Sequence, residues 1–109
     1  MLGVAALAMM GCKTLPPPTP LGELNSQQTH GHEVFQARCG ACHYDRKSDS
    51  LHGPPLLGLY KKPALPSGAA ATDERVTSTI VHGKGLMPAL GNNMDQQDID
   101  DVLAYLHTL

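Results

Sequence analysis

The sequence predicts an all-α protein, three helices separated by long irregular loops. Three stretches repeat apolar residues at helical spacing beside capping residues, and no stretch shows the strict alternation of a half-buried strand. Between them, residues 44 to 71 are punctuated by Gly53, Pro54, Pro55, Gly58, Pro63, Pro66 and Gly68, which excludes a regular helix there. A chain of 109 residues holds one domain with at most a tail.

The chain opens on "MLGVAALAMMG", a run of small and apolar residues, followed by Cys12. Such a run is too short to cross a bilayer, which takes about 20 residues, and it reads as the apolar region of a secretory leader. Its ending, "MMGC", resembles the lipobox of bacterial lipoproteins, where the cysteine is lipidated and becomes the new N-terminus. That resemblance implies a leader over residues 1–11, lipid attachment at Cys12 and a place on the periplasmic side of a bacterial membrane. The plainer reading is an apolar N-terminus with an incidental cysteine. Residues 12–28 follow as a Pro-rich tether, with four prolines between Pro16 and Pro20. Proline fixes φ and removes a donor, so an extended, poorly packed segment is expected.

The globular unit is assigned to residues 29–109, although helical character starts from about Ser26. A first helix runs through "SQQTHGHEVFQARCGACH", with Val34 and Phe35 on its apolar side and Ser26 or Thr29 as its cap. The irregular run after it is long for a compact domain unless it has a task, such as wrapping a cofactor. A second helix spans Thr72 to about His82, capped by Thr72 or Asp73, stopped by Gly83, and striped by Val76, Ile80 and Val81. The last helix is announced by Asp95 as N-cap, with Asp98 three residues on and Met94 and Ile99 at staple positions. Ile99, Val102, Leu103 and Leu106 then give its apolar face, with Asp98 and Asp101 expected to face out.

Composition narrows the function. A net charge of -2 without a basic run excludes a nucleic-acid partner. The aromatics are only Phe35, Tyr44, Tyr60 and Tyr105, so the core is short of large side chains, and a bound apolar cofactor would complete it.

The chemistry lies in "RCGACHYD", where Cys39 and Cys42 are separated by two residues and His43 follows. A thiol–disulfide centre belongs beside strands and at a helix N-terminus, whereas these cysteines close a helix in a chain without strands. A structural zinc site needs four ligands, and no second close Cys or His pair is present, His30 and His32 not sharing a helix face. Haem c requires what is there: two thiols spaced to bond both vinyl groups of one porphyrin, and an imidazole beside them for the iron.

With these residues the chain resembles the small single-haem class I cytochromes c with His/Met ligation. "GHEVFQARCGACH" is similar to the family's first helix, with Gly31, Phe35 and Cys39 at its fixed steps. "HGPPLLG" resembles its post-haem loop, "GKGLMPAL" its methionine segment and "DIDDVLAYLHTL" its closing helix. The resemblance implies a cytochrome c fold wrapped around one covalently bound haem. It implies Cys39 and Cys42 as attachment sites, His43 as proximal ligand and Met87 as distal ligand. It also implies that the Pro54 carbonyl accepts the His43 Nδ1 proton. Met94 competes with Met87 but is accounted for by the staple, and His82 or His52 is the alternative distal ligand. Gly31 and Tyr105 are expected where the first and last helices cross, and His30, His32 and His107 in solvent. Lys61, Lys62 and Lys84 flank the loops expected to wrap the haem.

Two functions follow. A filled His/Met pair implies an electron carrier and no enzyme, working either as a tethered shuttle or as a subunit of a respiratory, photosynthetic or dehydrogenase complex. Its partners would be a donor and an acceptor redox protein, with the membrane reached through the lipid anchor. A labile distal site would instead make a haem enzyme or a sensor of gas or peroxide, with His82 as its one candidate acid–base group.

Overall fold

The computed structural model describes residues 15–65 and 67–109; the leader and Cys12 lie outside the described residues. Its order is a short 3-10 turn at Leu21–Glu23, then α1 (Ser26–Arg38), α2 (Asp73–His82) and α3 (Gln96–Leu106). Among the described residues there is no strand, only an isolated bridge between Lys84 and Met87.

Asn25 caps α1, rather than Ser26 or Thr29. Its side chain accepts from the Gln28 amide at 2.8 Å while the Gln28 side chain accepts from the Asn25 amide at 2.9 Å. This is a reciprocal capping box written with amides, which satisfies two donors that a helix start leaves open. Helix α2 starts on Thr72, whose hydroxyl accepts from the Arg75 amide, and stops at Gly83, where φ is +77°. Helix α3 starts on Asp95, which accepts from the Asp98 amide at 2.8 Å. Met94 and Ile99 are both buried, as the staple requires.

The core is one cluster: Val34 and Phe35 from α1, Val76 and Ile80 from α2, and Ile99, Val102, Leu103, Tyr105 and Leu106 from α3, with Met94 and Leu109. Helices α1 and α3 cross at Gly31. A Cβ placed there would lie 1.9 Å from the Asp101 carbonyl oxygen and 2.9 Å from Tyr105 Cβ, so only glycine lets the backbones approach this closely.

Two expectations are corrected at this crossing. Asp101 does not face out; it is 4% exposed, accepting from His30 Nδ1 at 2.6 Å and from Gln97 Nε2 at 2.7 Å. It precedes Tyr105 by one helical turn on the side that meets α1, so its carboxylate is buried but satisfied. His30 is therefore a partner of α3, not a free solvated side chain. His107 is half-exposed yet also engaged: its ring stacks on Tyr60 at 3.7 Å and Nε2 lies 2.8 Å from Asp73.

The proline segment differs from the expected tether over its described part. The Thr19 amide donates to the Thr108 carbonyl at 2.8 Å, Arg46 donates to the Thr19 carbonyl, and Leu24 packs against the core. Because Asn25 caps α1, the helix also begins before residue 29.

Candidate functional site

Helix α1 ends at Arg38, and its C-cap Cys39 and the turns that follow deliver the two thiols and the imidazole. The Cys39 and Gly40 amides both donate to the Phe35 carbonyl, and the Cys42 and His43 amides both donate to the Cys39 carbonyl at 3.0 Å. These stacked turns place Cys39, Cys42 and His43 within one compact unit. Cys39 is half-buried against the core, whereas Cys42 is exposed. Burial first, and then the neighbouring Cys42, push the Cys39 thiol up to about 11. A disulfide-exchange nucleophile needs the opposite, a depressed thiol pKa.

The His43 ring is held from two sides. Nδ1 donates to the Pro54 carbonyl at 2.7 Å, which fixes the tautomer and leaves Nε2 as the free ring nitrogen. Gly53 lies against the same ring: a Cβ there would come within 2.5 Å of His43 Cε1. The Gly53 amide donates to the Cys42 carbonyl at 2.7 Å and the Leu56 amide to the Tyr44 carbonyl at 2.8 Å, so the Gly-Pro loop is pinned to the cysteine turn. Neither Gly53's contact with the ring nor the loop's pairing with residues 42 and 44 is foreseen from the sequence.

Met87 sits on a separate, tightly built loop. Lys84 and Met87 exchange both backbone hydrogen bonds, at 3.1 and 2.9 Å, around Gly85 at φ +58°. A Cβ on Gly83 would lie 2.5 Å from the Met87 carbonyl oxygen, so this loop needs glycine on both sides of Lys84. Met87 packs against the core while its neighbour Leu86 is fully exposed. Met94 is inside the core, in keeping with its staple role. His52 is exposed. His82 is exposed as well, in a shallow depression with Asp73, Glu74, Thr77, Ser78 and Val81, and α2 turns Val76 and Ile80 to the core.

Three polar pairs tie this site to the scaffold, and only their residues, not their partnerships, are visible in the sequence. Tyr105, fully buried, donates from its hydroxyl to Asp45 at 2.6 Å, anchoring the residues just after His43 to α3. Burial first, then Asp45, raise the Tyr105 hydroxyl pKa. Tyr60 donates to Asp73 at 2.8 Å, joining the loop that follows Pro54 to the start of α2. Hydrogen bonds from Tyr60 and then His107 hold Asp73 below the usual carboxylate range. The third pair is His30 with Asp101 at the helix crossing.

Two thiols and a Nδ1-committed imidazole in one turn, on a core with few large side chains, fit a covalently attached haem ligated through Nε2. The fold and this site define a small single-haem c-type cytochrome. A family model described as "Cytochrome C oxidase, cbb3-type, subunit III" matches residues 26–106. The chain belongs to that family, within the small monohaem class I cytochromes c, and carries one covalently bound haem c.

More particularly, the chain is similar to cytochrome c6. It is 31% identical over 77 residues to cytochrome c6 of Pyropia tenera, which covers 71% of this chain and 86% of the relative. It is 37% identical over 79 residues to cytochrome c6 of Bryopsis maxima, covering 70% and 84%. The solved structure of cytochrome c6 from the diatom Phaeodactylum tricornutum superposes with a TM-score of 0.55 at 29% identity, covering 72% of this chain and 88% of that one. Fold and relatives together support electron transfer by a monohaem cytochrome.

Proposed function

We propose that this protein is a one-electron carrier whose haem is six-coordinate, with His43 and Met87 as axial ligands, held at the periplasmic face of a bacterial membrane through a lipid on Cys12. The observation that carries the His43 assignment is the 2.7 Å bond from its Nδ1 to the Pro54 carbonyl, which commits one ring nitrogen and leaves Nε2 for iron, while Met87 is put forward on the family resemblance and its glycine-framed loop. When bound, the haem supplies a reversible ferric/ferrous couple, which a thioether ligand opposite imidazole shifts toward the ferrous form.

The chain's own residues supply position. Pro54 and Gly53 prevent rotation of the imidazole, and the paired turn at Lys84 and Met87 holds the thioether against the core. Little rearrangement on electron transfer is expected from ligands restrained in this way. A peroxide-using enzyme needs a distal acid–base group, and His82, the one candidate, is exposed on α2, whose core-facing residues are Val76 and Ile80.

The family description names an oxidase subunit, whereas the relatives carry the name cytochrome c6. The family and these relatives support a carrier unit that works either as a shuttle or as a docked subunit between redox partner proteins. The ligand assignment is tested with Met87→Ala. The variant is expected to lose the far-red charge-transfer band of ferric methionine-ligated haem and to have a lower reduction potential. A band that persists in Met87→Ala contradicts Met87 as the ligand. Mild purification from native membranes separates the two carrier modes, a subunit bringing its complex with it.

A further inference from the structure

We propose that residues 15–19 form a strap, not a free leash, and that the strap presents one cationic face of the globular unit to an anionic lipid surface. The proposal rests on the lipid at Cys12 proposed above. The strap itself is on the page independently of it.

The segment is tied down at alternate residues, Leu15, Pro17 and Thr19. Leu15 lies over Gly58, where a Cβ would come within 2.6 Å of Leu15 Cδ1 and where φ is +73°. Pro17 accepts from Lys61 Nζ at 3.4 Å. Thr19 donates to Thr108 at 2.8 Å and accepts from Arg46. The Gly58 amide donates to the Leu109 carbonyl, so the same turn also holds the residues beyond α3. Three separate parts of the fold, Arg46, residues 58–62 and residues 108–109, thus converge under the segment.

Length turns this docking into an orientation. From Cys12 to Ser26 an extended proline-rich leash would reach roughly 43 Å at about 3.1 Å per residue. From Cys12 to the docked Pro17 the chain reaches at most roughly 18 Å. A lipid at Cys12 therefore keeps the strap-bearing face next to the headgroups, within about two Debye lengths at physiological salt.

That face carries charge of the right sign. Lys62 Cε lies 3.6 Å from the same Gly58 Cβ position that Leu15 covers, and Lys61 and Arg46 hold the strap directly. Among the described residues the ion pairs involve only His30 with Asp101 and His107 with Asp73, so Lys61 and Lys62 are not neutralised by a carboxylate, while the Arg46 guanidinium is taken up beneath the strap with Nη1 buried. The adjacent Asp45 is engaged by Tyr105. Phosphate headgroups are the anions that a lipid anchor brings to such a face.

The test uses the full haem-loaded, lipidated chain. Hydrogen exchange reads the strap: the Thr19 amide should exchange at least about tenfold slower than in a free peptide, and free-peptide exchange overturns the strap. Intact mass reads the anchor: an unmodified Cys12 overturns the membrane half and the lipid reading beneath it, while leaving Thr19 protection as measured. Orientation is read in ferrous protein carrying a nitroxide at Lys62→Cys, in phosphatidylethanolamine–phosphatidylglycerol vesicles doped with nickel-chelating headgroups. Strong relaxation of the nitroxide is expected, falling severalfold when a flexible Gly/Ser insert is placed between Thr14 and Leu15. Relaxation that is weak, or unchanged by the insert, overturns the orientation.

Discussion

At the scale of single residues, the site depends on what surrounds the imidazole as much as on the imidazole. Pro54 accepts the Nδ1 proton and Gly53 leaves room for the ring, so His43 cannot swing away from either. Gly53→Ala forces a methyl to within 2.5 Å of Cε1 of a ring that has no freedom to yield. The cost expected is about 1–3 kcal/mol, the range for overpacking a tight contact. Denaturant unfolding of the haem-loaded variant against the parent measures it, and an unchanged midpoint would show that the loop, not the ring, sets this geometry. The Cys-x-x-Cys-His order and the Gly-Pro pair are both legible in the sequence because covalent and backbone chemistry dictate them. The Gly53 contact is not, since it depends on how a loop closes over a ring eleven residues from Pro54.

At the scale of elements, local chemistry was legible and cross-element pairing was not. Gly83 and Asp95 announce their helix ends by residue type alone, whereas Thr72 and Asp73 compete for the α2 cap until the Thr72 hydroxyl is seen accepting from the Arg75 amide. Asn25 announces its own only if Asn and Gln are allowed to replace the usual capping-box pair. Asp101 is the instructive case. Periodicity places it opposite the α3 apolar stripe, facing out, and only the crossing with α1 shows that this side is buried too and that His30 pairs with it. Burial opposes ionisation of Asp101, but bonds from Gln97, Gln27 and His30 outweigh it and hold its carboxyl below the usual range. The Asp101 bond, aided by Asp98 and Glu33, raises His30 above its ordinary 6.5.

The signs give a window. Stability from Asp101 is present above its ordinary 3.8 and is lost as pH falls through the lower folded value. Stability from His30 is full below 6.5 and is lost as pH rises through the higher folded value. The α1–α3 crossing is therefore expected to be firmest in mildly acidic solution. His30→Gln should flatten the decline in melting temperature across neutral pH, as thermal unfolding of the haem-loaded protein at a series of pH values would show. An unaltered slope would place the titration elsewhere.

At the scale of the molecule, the core is small and built on one buried aromatic pair, Phe35 and Tyr105, with ring centroids 6.0 Å apart. Among the described residues no helix is long and apolar enough to cross a membrane. Such a core gains much of its burial from the haem, so a Cys39→Ala, Cys42→Ala chain grown without haem attachment is expected to be largely unfolded. Far-ultraviolet circular dichroism checks this, and native helix content in that variant would contradict it. The fold class was readable because helices declare themselves locally, whereas the docking of the proline segment joins Thr19 to Thr108 across most of the chain.

The unequal exposure of the two thiols bears on how the protein is made. Cys42 is open to solvent, but Cys39 is packed against the core with its thiol proton tightly held. A thioether at Cys39 is thus easiest to form before that core closes. Attachment at Cys39 is therefore expected to precede closure of the core, after which α1 and α3 meet backbone to backbone at Gly31.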